Sequence, residues 1–111
     1  MKRYVSHFLL LPPYGYLKKC VVETEHEFVV RLFPFNEEIE STEWLSGLIV
    51  LFPKHNILDH LFREKVLFLE KIPLEFSEGH IPLLFFHAYL FSPFDFTLMQ
   101  PVCGTQRKQL P

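Results

Sequence analysis

The sequence predicts a mainly β, single-domain protein that spans residues 1–111 and carries one short helix. Three observations lead there. Apolar residues recur in short extended runs bounded by proline, glycine and charged turns. Only one stretch, from about residue 56 to 65, changes to helical spacing. The length of 111 residues, with 49% hydrophobic and 22% charged side chains, suits one packed core, and a chain of this size buries roughly two-thirds of the surface it exposes when unfolded.

The run RYVSHFLLL (3–11) reads as the first strand, closed by PPYGY, where two prolines fix φ and Gly15 tolerates a turn conformation. LKKCVVETE (17–25) reads as the second, with Cys20 and Val22 on one face and Val21 on the other. After a tight turn at Glu25-His26, EFVVRLFPF forms a third strand with Phe28, Val30 and Leu32 on one side and Val29, Arg31 and Phe33 on the other, both faces largely buried. Asn36 is placed to cap a helical turn through Glu37, Glu38 and Ile39. Gly47 admits the extended run LIVLF, whose unbroken apolarity implies burial on both faces before Pro53 stops it.

From Asn56, the residues Ile57, Leu58, Leu61, Phe62 and Val66 share helical spacing, with Asp59 near the start and Lys65 near the end, as the helix dipole favours. The segment VLFL (66–69) fits either an extension of that helix or a new strand. Ser77-Glu78-Gly79 marks a turn, PLLFFHAYLF a long strand that breaks at Ser92-Pro93, and DFTLMQPV a further extended stretch. TQRKQL reads as an edge strand on which Arg107 and Lys108 discourage unwanted pairing.

Several of these segments, in this order, resemble the parts that flank the catalytic barrel in the amidohydrolase superfamily of metal-dependent hydrolases. YVSHFLLL is similar to the first strand of that family's small composite β-sandwich. LKKCVVETEHEFVVRLFPF resembles its hairpin, and EWLSGLIV the Gly-Leu-Ile-Val run that enters the barrel. LEFSEGHIPLLFF is similar to the return from the barrel and DFTLMQPVCGTQRKQL to the closing segment. The likeness covers roughly 1–53 and 74–111. It implies a small β-sandwich built from both ends of the chain, with the helix at about 56–65 inserted between them.

The departures from the family concern its chemistry. Where the family has Pro-Gly, this chain has Leu51 and Phe52, and where the His-x-His metal pair would fall stand Ile57 and Asp59. A barrel takes about 250 residues, whereas only residues 54–73 are available here. The resemblance therefore carries over no catalytic residue and no cofactor. The expected function is a non-catalytic interaction or accessory module, with a protein partner or self-association closing the face that a barrel would cover.

The rival is a small metal-dependent hydrolase-like enzyme. His55, Asp59 and His60 are its candidate metal ligands, since an imidazole and a carboxylate at i and i+4 share a helix face. Zinc needs at least three protein ligands, which could draw in His80, His87 or Glu23. The bland alternative is that Asp59 decorates a first helical turn and both histidines are surface residues. His87 reads as a core histidine with a backbone partner, and His7 as a residue within a strand. Cys20, despite Lys18 and Lys19 beside it, reads as buried in a strand centre. Trp44 is either an anchor for a partner or a plug for one end of the core.

A net charge of -2 with scattered cations argues against nucleic acid. No run reaches the ~20 apolar residues of a membrane helix, and the apolar run Phe8 to Leu11 is too short for a signal peptide. These features, with two cysteines read as reduced and buried, predict a cytoplasmic protein.

Overall fold

The computed structural model describes residues 1–11, 14–35, 41–53, 67–77 and 86–111. Among these, β1 (Lys2–Val5), β4 (Cys20–Glu25), β5 (Phe28–Pro34) and β6 (Thr42–Trp44) form one sheet, sheet A, in the order β5-β4-β1-β6. The other, sheet B, contains β2 (Phe8–Leu11), β3 (Gly15–Lys18), β7 (Leu48–Pro53), β8 (Phe86–Asp95) and β9 (Gln100–Gln109), in the order β3-β2-β7-β8-β9. A single helical turn, α1 (Leu74–Ser77), is the only helix among the described residues. The mainly β, two-sheet architecture agrees with the sequence. The expected helix at 56–65 and the turns expected at 36–39 and 78–79 lie outside the described residues.

Each of the first two expected strands is in fact two strands, one in each sheet. The run 3–11 breaks at Ser6-His7, and the run expected over 17–25 starts at Gly15 and breaks at Lys19. The physical reason is a common bend. Ser6 Oγ donates to the Phe8 carbonyl, taking the backbone out of the strand, while Lys19 adopts φ 46° and its N–H reaches the His7 carbonyl at 3.0 Å. The hairpin thus runs through both sheets, β1 pairing with β4 and β2 with β3. A third stretch bends beside them at Leu45 to Gly47, with β6 parallel to β1 and β7 parallel to β2.

Between the sheets lie Tyr4, Leu9, Leu11, Leu17, Cys20, Val22, Val29, Ile49, Leu51, Ala88 and Leu110. α1 adds Phe76, whose ring meets Tyr14 and Phe86 at 5.4 and 5.7 Å. LIVLF is buried on both faces as expected: Ile49 and Leu51 face this core, and Leu48, Val50 and Phe52 lie on the outer side of sheet B.

The third strand departs from strict alternation. Glu23 pairs with Arg31 but Thr24 with Val29, so Val30 is an extra, bulged residue. The bulge lets Val29 and Leu32 face one core, and because β5 is an edge strand only Val29 in it is fully buried. The turn before it is His26-Glu27, one residue later than expected, joining the paired residues Glu25 and Phe28. Both turn residues have positive φ, 52° and 72°, which matches the twist of a two-residue hairpin.

At the C-terminal end, β8 continues through Ser92-Pro93, where a register shift replaces the expected break. DFTLMQPV is not one extended stretch: Asp95 Oδ1 accepts the N–H groups of Thr97 and Leu98 at 2.8 and 3.0 Å and turns the chain before β9 begins. β9 is an edge strand, as TQRKQL predicted. Of the ambiguous segment 66–69, the described residues Leu67 to Leu69 are extended chain, since Tyr16 donates to Leu67 and accepts from Leu69, both at 2.8 Å. The two ends of the chain meet: Leu110 donates to Ala88 at 2.8 Å, and the Pro111 carbonyl accepts from Tyr4 Oη and Thr24 Oγ1.

Gly47 sits at φ +131° in the bend, and a Cβ there would lie 2.6 Å from the Phe91 carbonyl oxygen. Gly104, at φ +93°, has open space around it. Gly47→Ala therefore combines backbone strain with a clash against main chain, and urea unfolding should show a loss of about 2 kcal/mol or more, against about 1 kcal/mol for Gly104→Ala. In the opposite direction, replacing His26-Glu27 by Asn-Gly supplies residues suited to positive φ and should raise stability by about 1 kcal/mol, measured the same way.

Candidate functional site

The outer side of sheet B is a second hydrophobic cluster. Leu10, Tyr16, Leu48, Val50 and Phe52 are buried there, with Phe8, Tyr89, Phe91, Phe94, Phe96 and Met99 packed around them. Strand alternation places the first five: their neighbours Leu9, Leu11, Leu17, Ile49 and Leu51 point into the inter-sheet core. The turn at Asp95 brings Phe96 over the sheet. Ring contacts run from Tyr16 to Phe68 (5.5 Å), Phe68 to Phe8 (5.8 Å), Phe8 to Phe96 (5.6 Å) and Phe96 to Phe94 (5.1 Å). Along this chain of rings, Phe68 remains 55% exposed. The arrangement offers a firm aromatic floor with the Phe68 ring partly left in water at its rim. Burial also raises the pKa of Tyr16.

Sheet A differs. Across its outer face Arg3, Glu23 and Arg31 stand in register. The Glu23 carboxylate, wholly buried, meets Arg3 Nε at 3.2 Å and Arg31 Nη1 at 3.0 Å. A buried carboxylate needs such partners, because an unpaired charge there would cost several kcal/mol. The next row contains Val5, Val21 and Trp44. Trp44 is 49% exposed and lies 5.9 Å from the His7 ring and 5.2 Å from Phe35. It covers this outer row and does not plug the inter-sheet core.

His55, Asp59 and His60 lie outside the described residues, as does His80. Glu23 is engaged by two arginines, and His87 stands apart from it: its Nδ1 is 2.8 Å from the Glu27 carbonyl and 3.0 Å from Gln109 Nε2. That carbonyl is a backbone partner of the kind the sequence suggested, but His87 is half-buried and belongs to neither apolar cluster, which corrects the reading of a core histidine. Nδ1 cannot donate to Glu27 and accept from Gln109 together, so the tautomer decides which bond forms. Among the described residues, no three His, Cys, Asp or Glu side chains come together as a metal site. His7 lies in the bend between β1 and β2, not within a strand.

Of the two cysteines, Cys20 is buried as expected, but Cys103 is exposed, correcting the reading of two buried thiols. Cys103 occupies the four-residue excursion of β9 created by the register shift opposite Pro93, where Thr105 Oγ1 accepts from Val102 and donates to the Pro93 carbonyl. No helix among the described residues is long and apolar enough to cross a membrane.

Comparisons with protein-family models, with curated proteins and with solved structures return no match.

The sequence missed the aromatic chain because its members come from four separated segments. The signal present was the alternation of Phe8 with Leu9, and of Phe94 with Asp95 and Phe96, which puts the rings on one side.

Burial pushes the Cys20 thiol from its ordinary 9.0 up to about 11. The unfolded chain gives up this proton first, so it binds fewer protons than the folded chain between these values. Stability contributed by the neutral thiol is complete below about pH 9 and is lost as pH rises toward 11. Unfolding titrations should show this fall, and Cys20→Ala should remove its lower part. In native protein at pH 8, an aromatic disulfide reagent should titrate Cys103 rapidly and reach Cys20 only after denaturant is added.

Proposed function

We propose that this protein is a non-catalytic β-sandwich that works as an interaction or accessory module in the cytoplasm, related to the composite domain of amidohydrolases. The observation that carries the reading is the second aromatic cluster on the outer side of sheet B, with the Phe68 ring half exposed at its rim. In the resembled family the sandwich lies against a catalytic barrel, and an apolar outer face is what such a sandwich keeps when it stands alone. The meeting of β2, β3 and β7 from the first half with β8 and β9 from the second in one sheet supports the same reading, as does the docking of Leu110 on Ala88. In a reducing compartment Cys20 and Cys103 remain thiols, consistent with their unpaired state.

The test is solution mass together with metal content, on protein purified without chelator or affinity tag. An apo protein whose mass rises with concentration, or that holds a stoichiometric protein partner, supports the module. In the self-associating case Phe68→Ser should weaken association by about fivefold or more, since truncating an aromatic anchor costs about 1 kcal/mol or more. A monomer that carries stoichiometric zinc overturns the module and favours the hydrolase-like enzyme built on His55, Asp59 and His60.

A further inference from the structure

We propose that the edge of β9 facing away from β8 is a docking strand for an extended acidic segment of a partner protein, which would add to sheet B as a further strand. The proposal rests on the interaction-module reading and gives it a second surface, with a stated partner chemistry.

The geometry begins with one hydrogen bond. Leu110 donates to the Ala88 carbonyl at 2.8 Å, so Ala88 and Leu110 form a hydrogen-bonded antiparallel pair. Counting back along the register, Tyr89 and Gln109 are a non-bonded pair, Leu90 and Lys108 a bonded one, and Phe91 and Arg107 non-bonded. In an antiparallel ladder the non-bonded residues turn their N–H and C=O groups away from the neighbour. Arg107 and Gln109 therefore present main-chain donors and acceptors on the side of sheet B where β9 is the last strand among the described residues. Arg107 and Lys108 are exposed, and Gln109 is partly so.

An extended peptide pairs with such an edge through main-chain bonds and is selected by side chains on either side of the new strand. Here the selecting groups are two cations. The Arg107 guanidinium lies over the Tyr89 ring at 5.6 Å, on the aromatic face. Lys108, by alternation, projects to the other face. A second copy of β9 laid alongside would set cation against cation, so the charges that protect this edge from self-pairing also favour an acidic partner. The excursion at 102–105 interrupts regular pairing further back, which confines docking to the stretch around 106–109.

The probe is a blocked synthetic peptide with two adjacent glutamates flanked by valine and threonine, compared with its lysine counterpart, each titrated into isotopically labelled protein and followed by amide NMR. The glutamate peptide should shift the Arg107 and Gln109 amides in a saturable way, with the lysine peptide about tenfold or more weaker. The double variant Arg107→Glu, Lys108→Glu should reverse that preference. Gln109→Pro removes an outward N–H that β8 does not use and should abolish binding. Equal response to both peptides, shifts confined to other surfaces, or no shift at Arg107 and Gln109 overturns the proposal. That result leaves the module reading intact if the solution mass still shows association, whereas a zinc-bearing monomer would remove the module reading itself.

Discussion

The bend shared by three stretches of chain is the constraint on which the rest of the structure depends. Ser6-His7, Lys19 and Leu45 to Gly47 lie side by side, and at that level each stretch leaves one sheet for the other. Bonds across the bend hold it: Lys19 to the His7 carbonyl at 3.0 Å, Leu45 to the Val5 carbonyl at 2.9 Å, and Phe35 to the Lys19 carbonyl at 2.8 Å. Because the strands continue from one sheet into the other, the two sheets cannot slide independently. Their inner faces are held against each other, and Tyr4, Val22, Leu9 and Ile49 are buried together. Two of the bending positions require backbone that most residues avoid, at Lys19 and Gly47. The cost is accepted at the point where continuity between sheets is set.

This arrangement divides the roles of the sheets. Sheet A is narrow, and the outer row through Glu23 is polar, closed by two arginines that reach water. Sheet B is wider and apolar on both sides, since β7 buries alternate residues in two different cores. A strand buried on both faces normally sits between two layers. On the outer side that second layer includes the rings of Phe94 and Phe96, brought in by the Asp95 turn and the register shift in β8 and β9, with Phe96 stacked on Phe8 of β2. The half-exposed Phe68 ring is where the layer meets solvent.

Much of the fold was legible in the sequence, and what was not has identifiable physical causes. LIVLF announced a doubly buried strand because no polar residue interrupts it, and TQRKQL announced an edge because its charges could not be central. The splitting of 3–11 and 17–25 was not legible: Ser6, His7 and Lys19 are ordinary strand residues by propensity, and the bend arises from hydrogen bonds between stretches far apart in the chain. The bulge at Val30 was hidden for the same reason, as it is a relation between two strands and not a property of one. Ser92-Pro93 looked like a stop because proline lacks an N–H, yet the register shift there lets β8 continue past it. Of the candidate site, Cys20 and the backbone partner of His87 were readable from local context. The ring chain was not, because it joins residues 8, 16, 68, 94 and 96.

The same topology determines which surfaces can face a partner. β2 and β7 are central in sheet B, so their main-chain groups are consumed by neighbours and only their outward side chains remain available. β9 is the reverse: its side chains are mostly exposed and polar, and among the described residues no strand takes up its main chain on the side away from β8. A partner that used only the face would be held by apolar area and be insensitive to sequence direction, whereas one that used only the edge would be held by directional bonds with little burial. Tyr89 connects the two, since its ring belongs to the outer cluster and also lies beneath the Arg107 guanidinium. A ligand strand on β9 would therefore lie next to the aromatic layer, and apolar residues flanking its acidic centre could add contact with that layer to the bonds made at the edge.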